Sequence, residues 1–552
     1  MKLQDREKTN ILKKQFVSVF TEEPTNELPN FESRTETELP PLRITEEMVY
    51  KKLTQLDANK DCDSDEIHPR FLKELKDWLT KPITAILQKS LDEGRLPRDW
   101  ITANVSPLFK KGSISKATNY RPISLTSIVC KKMESVIKDC IMDDMRHKDL
   151  LSNKQFGFIN GRSTTIQLLN FLDKFVELMA KDLTVDTIYF DFFIKHLTLL
   201  RRLNAYDIKG KFLKWIEDFL TARIQTVQVN STKSDPAIVT SGIPQGSVLG
   251  PILFLIYIND LPDNIKSDIY LFADDTKVFK KVSSKEEALE LQQDIDILET
   301  WSQVWLLKFH PEKSKVLTLG KLENIQHAHR YTLNDYELEH VFDQNNLGVT
   351  IDSDLKFDVH IAKKIQKSNT MLGLIKRSFT YMDSNLFKTL YTSYVRPRLE
   401  YGSIIWSPFL MKNIKAIENI QRRATKLVAT LKHLPYEDRL KRLDLPTLTF
   451  RRKKFDMIEM YKHFHHYDKC TLSESFLPRN RPSRQHDFQL VPKTPKDGVR
   501  GPQTNSFFYR ASKTWNELPK TVTHANNIAA FKRELDNAWK NDPSRYNIQS
   551  DS

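Results

Sequence analysis

The chain has 552 residues, 39% hydrophobic, 10% aromatic and 28% charged, with only 14 glycines; this excludes disordered and collagen-like chains and, at roughly 150 residues per domain, allows three or four domains. Its formal net charge is +14, and residues 356–470 alone hold 24 Lys and Arg against 10 Asp and Glu, so the excess sits in one segment and reads as a polyanion footprint, with solvated helix faces as the plain alternative. The central apolar run Ile252 to Ile258 is far short of the roughly 20 residues of a bilayer span, the start MKLQDREKTN lacks a secretory core, and Cys62, Cys130, Cys140 and Cys470 show no zinc spacing, so an intracellular, membrane-free protein with reduced thiols is expected.

The first 40 residues are polar and broken by Pro24, Pro29, Pro40 and Pro41, which reads as an arm. From Thr45 to Leu91 apolar residues recur at helical spacing, predicting three short helices. Between Val105 and Ile128 the texture becomes extended, VSPLFKKG and NYRPISLTSI around a KKG turn, followed by a helix from Ser127 to about Met145. From Thr184 to Lys280, strands alternate with helices: TIYF, the helix LKWIEDFL, strands TVQVN and AIVTSG, the helix SVLGPILFLIYIND and the hairpin DIYLFADDTKVFK. The pattern is α+β with an antiparallel sheet.

Two amphipathic helices follow in the basic segment. Ile361, Ile365, Leu372 and Ile375 form one stripe beside Lys363, Lys364, Lys367, Lys376 and Arg377; Ile414, Ile417, Ile420, Leu427 and Val428 form a second beside Lys412, Lys415, Arg422, Arg423 and Lys426. The apolar stripes are expected to bury and the cations to face a partner. After the Pro- and Arg-rich PRNRPSRQHDF, a compact patch SFFYRASKTWNELP and a helix near Ile528 to Trp539 close the chain.

Chemistry concentrates in Phe272-Ala273-Asp274-Asp275, between two strand-like runs. Adjacent acids crowd like charges, so most such pairs are solvated turns. Here a further acid, Asp191, ends the strand TIYF. If the two strands are neighbours, the acids converge as hard oxygen ligands for Mg²⁺ ions that assist phosphoryl transfer. In Gly242-Ile243-Pro244-Gln245-Gly246-Ser247 the glycines allow close approach to a flat partner, and Gln245 offers a donor and an acceptor; a loop with a Ser247 cap is the bland reading. Lys110, Lys111, Arg121 and Arg162, in or beside turns, are singly ordinary cations and together suited to a triphosphate.

LFKKG, NYRPISLTS, QFGFINGRST, SGIPQGSVLGPILFLIYINDLP, YLFADDT, LKFHPEKSKVL and LGVTIDSDLKF, in this order, resemble the motifs of reverse transcriptases from non-LTR retrotransposons, especially the jockey-like kind. The resemblance implies a right-hand polymerase fold: a polar arm over 1–44, a helical N-terminal extension over 45–104, fingers and palm over 105–355, a basic helical thumb over 356–470 and a C-terminal extension over 471–552. It implies Asp191, Asp274 and Asp275 as catalytic metal ligands for two Mg²⁺ ions, with Mn²⁺ as a substitute. Lys110, Arg121, Arg162 and Lys313 would lie toward the nucleotide phosphates, and Pro244, Gln245 and Gly246 would position template and nucleotide. Phe192 or Phe193 would exclude ribose. The implied activity is RNA-directed DNA synthesis with an RNA template, a DNA primer and dNTPs as partners; the nucleus is the expected location, with the cytoplasm as alternative.

Two places depart from the family. After Asp191 the chain reads Phe192-Phe193-Ile194-Lys195-His196, about five residues shorter than is usual in the family it resembles, inside the implied active site. Near the start, Asp63 and Glu66 stand in a stretch where glycines are usual. Nothing resembles an endonuclease, an RNase H or a zinc knuckle. The reading is therefore the polymerase portion of a retrotransposon protein, and its alternative is a catalytically dead remnant that binds RNA or an RNA–DNA hybrid.

Overall fold

The computed structural model describes residues 4–20, 32–179, 181, 183–190, 197–221, 223–240, 242–305, 307, 309–320, 329–467, 476–478, 488–492 and 504–547. In chain order the elements used below are α1 (Asp5–Val17), α2 (Glu46–Thr54), α3 (Pro69–Glu74), α4 (Lys76–Glu93), β1 (Thr102–Phe109), β2 (Tyr120–Leu125), α5 (Ile128–His147), α6 (Thr164–Met179) and β3 (Val185–Phe190). Next come α7 (Leu197–Ala205), α8 (Gly210–Thr221), β4 (Ile224–Val229), β5 (Thr232–Lys233), β6 (Ala237–Ile238), α9 (Gly250–Tyr257), β7 (Asp268–Phe272), β8 (Asp275–Lys281) and α10 (Lys285–Val304). The last are β9 (Lys315–Leu319), β10 (Glu339–Val341), α11 (Asp358–Ser378), α12 (Met411–Ala424), α13 (Leu448–Phe464), α14 (Phe507–Asn516) and α15 (Ile528–Ala538).

The chain divides into two compact units. The first comprises Met1–Phe158, Asp191–Ile265 and Asp296–His310; the second comprises Ile159–Phe190, Lys266–Ile295 and Pro311–Ser552.

In the first unit, β1 pairs antiparallel with β2 and parallel with β4, and β4 carries the short antiparallel strands β5 and β6. The extended reading of AIVTSG reduces to Ala237–Ile238. α1 lies within the segment read as an arm. Its Leu12 and Phe16, one turn apart and hidden in sequence among lysines, are buried with Val105 of β1 and Val227 of β4. The α7 guanidinium of Arg202 is buried against Asp260 and lies 3.6 Å from the Trp305 ring centre, also facing Trp301 and Tyr257. Burial pushes its pKa down, and Asp260 opposes the shift.

In the second unit, five strands run in the order β10-β9-β3-β8-β7. From β9 through β3 and β8 to β7 each strand runs antiparallel to its neighbour, as the alternation implies, and the edge strand β10 joins β9 in parallel. The sheet is thus mixed at one edge. On one face Phe279 packs against Phe171 and Phe175 of α6. On the other, the buried Asp186 of β3 accepts hydrogen bonds from the hydroxyls of Thr318 and Tyr331, both at 2.7 Å, tying β3 to β9 and to the segment after it.

The helices of the basic segment lie in this unit and follow their periodicity. Ile361 and Ile375 of α11 and Ile417 and Ile420 of α12 are buried, while Lys363, Lys367, Lys376, Arg377, Lys412, Lys415, Arg422, Arg423 and Lys426 are exposed. α12 ends at Ala424, so Leu427 and Val428 lie beyond the regular helix.

Candidate active site

The five-stranded sheet of the second unit gathers its candidate residues at one end. Phe272 pairs with Asp275, leaving Ala273 and Asp274 as the two-residue turn between β7 and β8. Ala273 sits at φ 51, a left-handed conformation that strains any residue with a Cβ. Asp274 and Asp275 are both exposed, and among the described residues no ion pair engages Asp274. β3 runs antiparallel to β8, and its last residue, Phe190, pairs with Thr276. Asp191 and Phe192 lie outside the described residues, as does the shortened stretch up to His196. Lys313 closes the one-turn helix Pro311–Lys313, two residues before Lys315, which pairs with Tyr189. Lys313 therefore stands at the same end of the sheet as Asp274 and Asp275.

Two residues into β8, Lys277 is fully buried. Its Nζ lies 3.9 Å from the centre of the Phe171 ring and has no hydrogen-bond partner. Burial pushes its pKa well below the usual lysine value, and only Asp275 pulls it back up. Lys277 and Asp275 lie on one face of the strand. Sequence reading passed over Lys277, because a lysine in an alternating strand normally marks the solvent side.

In the first unit, Lys110 follows β1 directly and its N–H donates to the Asn119 carbonyl at 2.8 Å, while Arg121 opposes Leu108 within β2. Both side chains are exposed at the turn end of the β1–β2 hairpin. The loop Pro244–Gln245–Gly246 is fixed to the same strand: the Ser124 N–H donates to the Gln245 carbonyl at 2.7 Å. Gly246 has φ 111, and a Cβ there would stand 2.8 Å from the Ser124 carbonyl oxygen, so only glycine fits. Ser124 and Arg121 are three residues apart, about 10 Å along a strand. The structure thus brings Lys110, Arg121 and the 244–246 loop onto one hairpin. Arg162 belongs to the second unit, in the turn before α6, where its N–H donates to the Ile159 carbonyl at 3.1 Å.

A residue that sequence reading missed holds this loop. Glu134 of α5 is buried, and its Oε2 accepts the N–H groups of Val248 and Leu249 at 2.6 and 3.0 Å, ahead of α9. Burial raises its pKa; the two N–H groups, Arg223 and Lys131 oppose the rise. The carboxylate acts as a cap supplied from another helix. Its one signal in sequence is an acid on the apolar face formed by Met133, Ile137 and Ile141.

Among the described residues no three His, Cys, Asp or Glu side chains gather into a metal cluster; of the expected set, only Asp274 and Asp275 are described. Both are exposed carboxylates, the hard oxygen donors that a divalent cation takes.

A family model described as reverse transcriptase (RNA-dependent DNA polymerase) matches residues 109–375, which include Asp274, Asp275, the 244–246 loop and Lys313. The chain carries a reverse transcriptase domain of the jockey-like, non-LTR kind. It is 27% identical over 444 residues to the probable RNA-directed DNA polymerase from transposon BS of Drosophila melanogaster, covering 74% of this chain and 47% of that protein. It is 26% identical over 419 residues to the RNA-directed DNA polymerase from mobile element jockey of Drosophila melanogaster, covering 72% and 45%. With the probable RNA-directed DNA polymerase from transposon X-element of the same fly it shares 25% identity over 484 residues, covering 82% and 51%. The chain spans about half the length of these curated relatives. No described helix of this reverse transcriptase domain or its flanks is long and apolar enough to cross a membrane.

Proposed function

We propose that the chain is an RNA-directed DNA polymerase that extends a DNA primer on an RNA template with dNTPs. The observation that carries the reading is the convergence of Asp274, Asp275, Lys313 and the end of β3 on one end of the antiparallel sheet. Asp274 and Asp275, with Asp191, would hold two Mg²⁺ ions, or Mn²⁺ in their place. When bound, such ions stabilise the charge of the attacking and leaving oxygens. Lys313 would hold the phosphates as a mobile point charge, and Lys110, Arg121 and Arg162 would bind the triphosphate. The loop Pro244–Gln245–Gly246 would seat the template and incoming nucleotide, its backbone held rigid by Ser124 and Glu134. Phe192 would occupy the space of a ribose 2′ hydroxyl.

In this account the polymerase is a right hand, with fingers and palm over 105–355 and a thumb over 356–470. Lys367, Lys376, Arg377, Lys415 and Lys426 are exposed and make no ion pair among the described residues, so they are available to template and primer phosphates. The nucleus is the proposed site of action. Incubation with poly(rA)·oligo(dT) tests the reading: dTTP should be incorporated and UTP excluded. Salt-sensitive binding of the hybrid without incorporation would instead identify a binding remnant.

A further inference from the structure

After α11 the chain returns against it through the helix Ser384–Leu390, one π-helical turn, Tyr391–Val395, and the short helix Arg396–Glu400. A π turn is rare and recurs at functional sites. Here it holds Tyr391 and Val395 inward: Tyr391 stacks on Phe387 with ring centres 5.6 Å apart and donates its hydroxyl to Gln421 at 2.7 Å. Tyr394 of the same turn lies open, 53% exposed, and Tyr401, just past the last helix, is 46% exposed. The Tyr401 hydroxyl donates to the Leu347 carbonyl at 2.8 Å, which fixes the ring. At i, i+4 and i+7, Tyr394, Arg398 and Tyr401 share one face.

Cations gather on that face without acids to balance them. The Lys364 Nζ of α11 lies 5.0 Å from the centre of the Tyr401 ring. Burial pushes its pKa down, and the charges of Lys367 and Arg398 push it further, so the three cations stand close enough to repel. The Arg398 Nε donates to the Tyr394 carbonyl at 2.9 Å. Among the described residues none of the three makes an ion pair, whereas neighbouring Lys363 finds Asp343 at 3.1 Å and Lys412 finds Asp358 at 2.9 Å. Uncompensated like charges cost stability, and a polyanion removes that cost. The rings decide which form of nucleic acid fits. In a duplex the base faces are covered by their neighbours; in an unpaired strand they are open to stack on an aromatic side chain.

We propose that Tyr394 and Tyr401, with Lys364, Lys367 and Arg398, form a stacking platform for an unpaired stretch of RNA. The two tyrosines are about 10 Å apart along the helix, room for one base on each ring. The cations beside them meet the phosphates. This platform presumes the reading of the chain as a polymerase on an RNA template, and adds to it a site for a strand whose bases are free. The exposed lysines of α11 and α12 can hold the phosphates of a duplex; Tyr394 and Tyr401 have no such use, because a duplex offers them no base face.

Fluorescence anisotropy of the full chain with a labelled oligo(rU) of about 12 nucleotides, and with an RNA–DNA hybrid of the same length, tests the platform. Tyr394→Ala should weaken binding of the single strand at least about fivefold and of the hybrid less than about twofold, with circular dichroism unchanged because the ring is open. Tyr394→Phe, which keeps the ring, should stay within about twofold of the parent. Arg398→Ala should weaken single-strand binding and reduce the slope of log K against log salt by about 0.7, the loss of one phosphate contact. A parent that does not bind oligo(rU), or a Tyr394→Ala chain that binds it like the parent, overturns the proposal. So does equal weakening of single strand and hybrid, or a Tyr394→Phe chain as weak as Tyr394→Ala. These ratios need neither dNTP nor Mg²⁺, so a parent that adds no nucleotide while Tyr394→Ala still loses oligo(rU) would remove the polymerase reading and keep the platform.

Discussion

Phe190 and Thr276 form the last described rung between β3 and β8, one residue short of Asp275 on the opposing strand. That register gives β3 and the hairpin a shared end, where Lys313 also stands.

Gly246→Ala tests the fit of the loop to β2. A Cβ would strain φ 111 and press on the Ser124 carbonyl at 2.8 Å, so the loop must withdraw from Ser124. Thermal denaturation should show a loss of about 1–3 kcal/mol, and the KM for dNTP should rise more than kcat falls. An unchanged KM would separate this loop from nucleotide binding.

Glu134→Ala leaves the N–H groups of Val248 and Leu249 without their acceptor. Chemical denaturation should show a loss of about 2–4 kcal/mol, whereas Glu134→Gln, which keeps an acceptor oxygen, should lose less than half as much. Equal losses in the two variants would assign the effect to the charge instead of the hydrogen bonds.

Lys277→Met removes a buried amine that has no hydrogen-bond partner and rests on Phe171. The methionine fills a similar volume without the desolvation cost, so the variant should be more stable by about 1–3 kcal/mol in denaturant melts. A loss of stability would mean that the contact of the cation with the Phe171 ring outweighs its burial.

His360 gives a pH dependence of definite sign. Its Nδ1 accepts the Thr350 N–H at 2.9 Å, and burial, with Lys364, Lys363 and Lys367 adding to it, holds its pKa down to about 3. Between about 3 and 6.5 the unfolded chain takes up a proton that the folded one refuses, so this group's contribution is lost as pH falls through that window. Melting temperatures of His360→Asn, which keeps an acceptor but does not titrate, should fall less steeply with acid than those of the parent. Parallel curves would remove His360 from the acid limb.

What could be read in the sequence was local. The β7–β8 hairpin follows from alternation on either side of Ala273-Asp274, and the faces of α11 and α12 follow from a helical period strong enough to survive a surplus of lysine. The residues that escaped are those whose partners are remote: Glu134 meets Val248 114 residues away, and Asp186 meets Thr318 132 residues away. No window of periodicity contains such a pair. α1 escaped for another reason, since two apolar residues suffice to dock a helix that is polar on average. The parallel pairings β1 with β4 and β9 with β10 are also set by long connections that no local pattern encodes.

The most direct measurement is primer extension on poly(rA)·oligo(dT) with Mg²⁺, comparing the parent chain with Asp274→Ala. Asp274 is exposed at a turn, so its removal should leave the melting temperature and hybrid binding nearly unchanged. The account predicts dTTP incorporation by the parent and a loss of about a thousandfold or more in the variant, roughly 4 kcal/mol of transition-state stabilisation. Incorporation that survives Asp274→Ala, or a parent that grips the hybrid and adds no nucleotide, would contradict it.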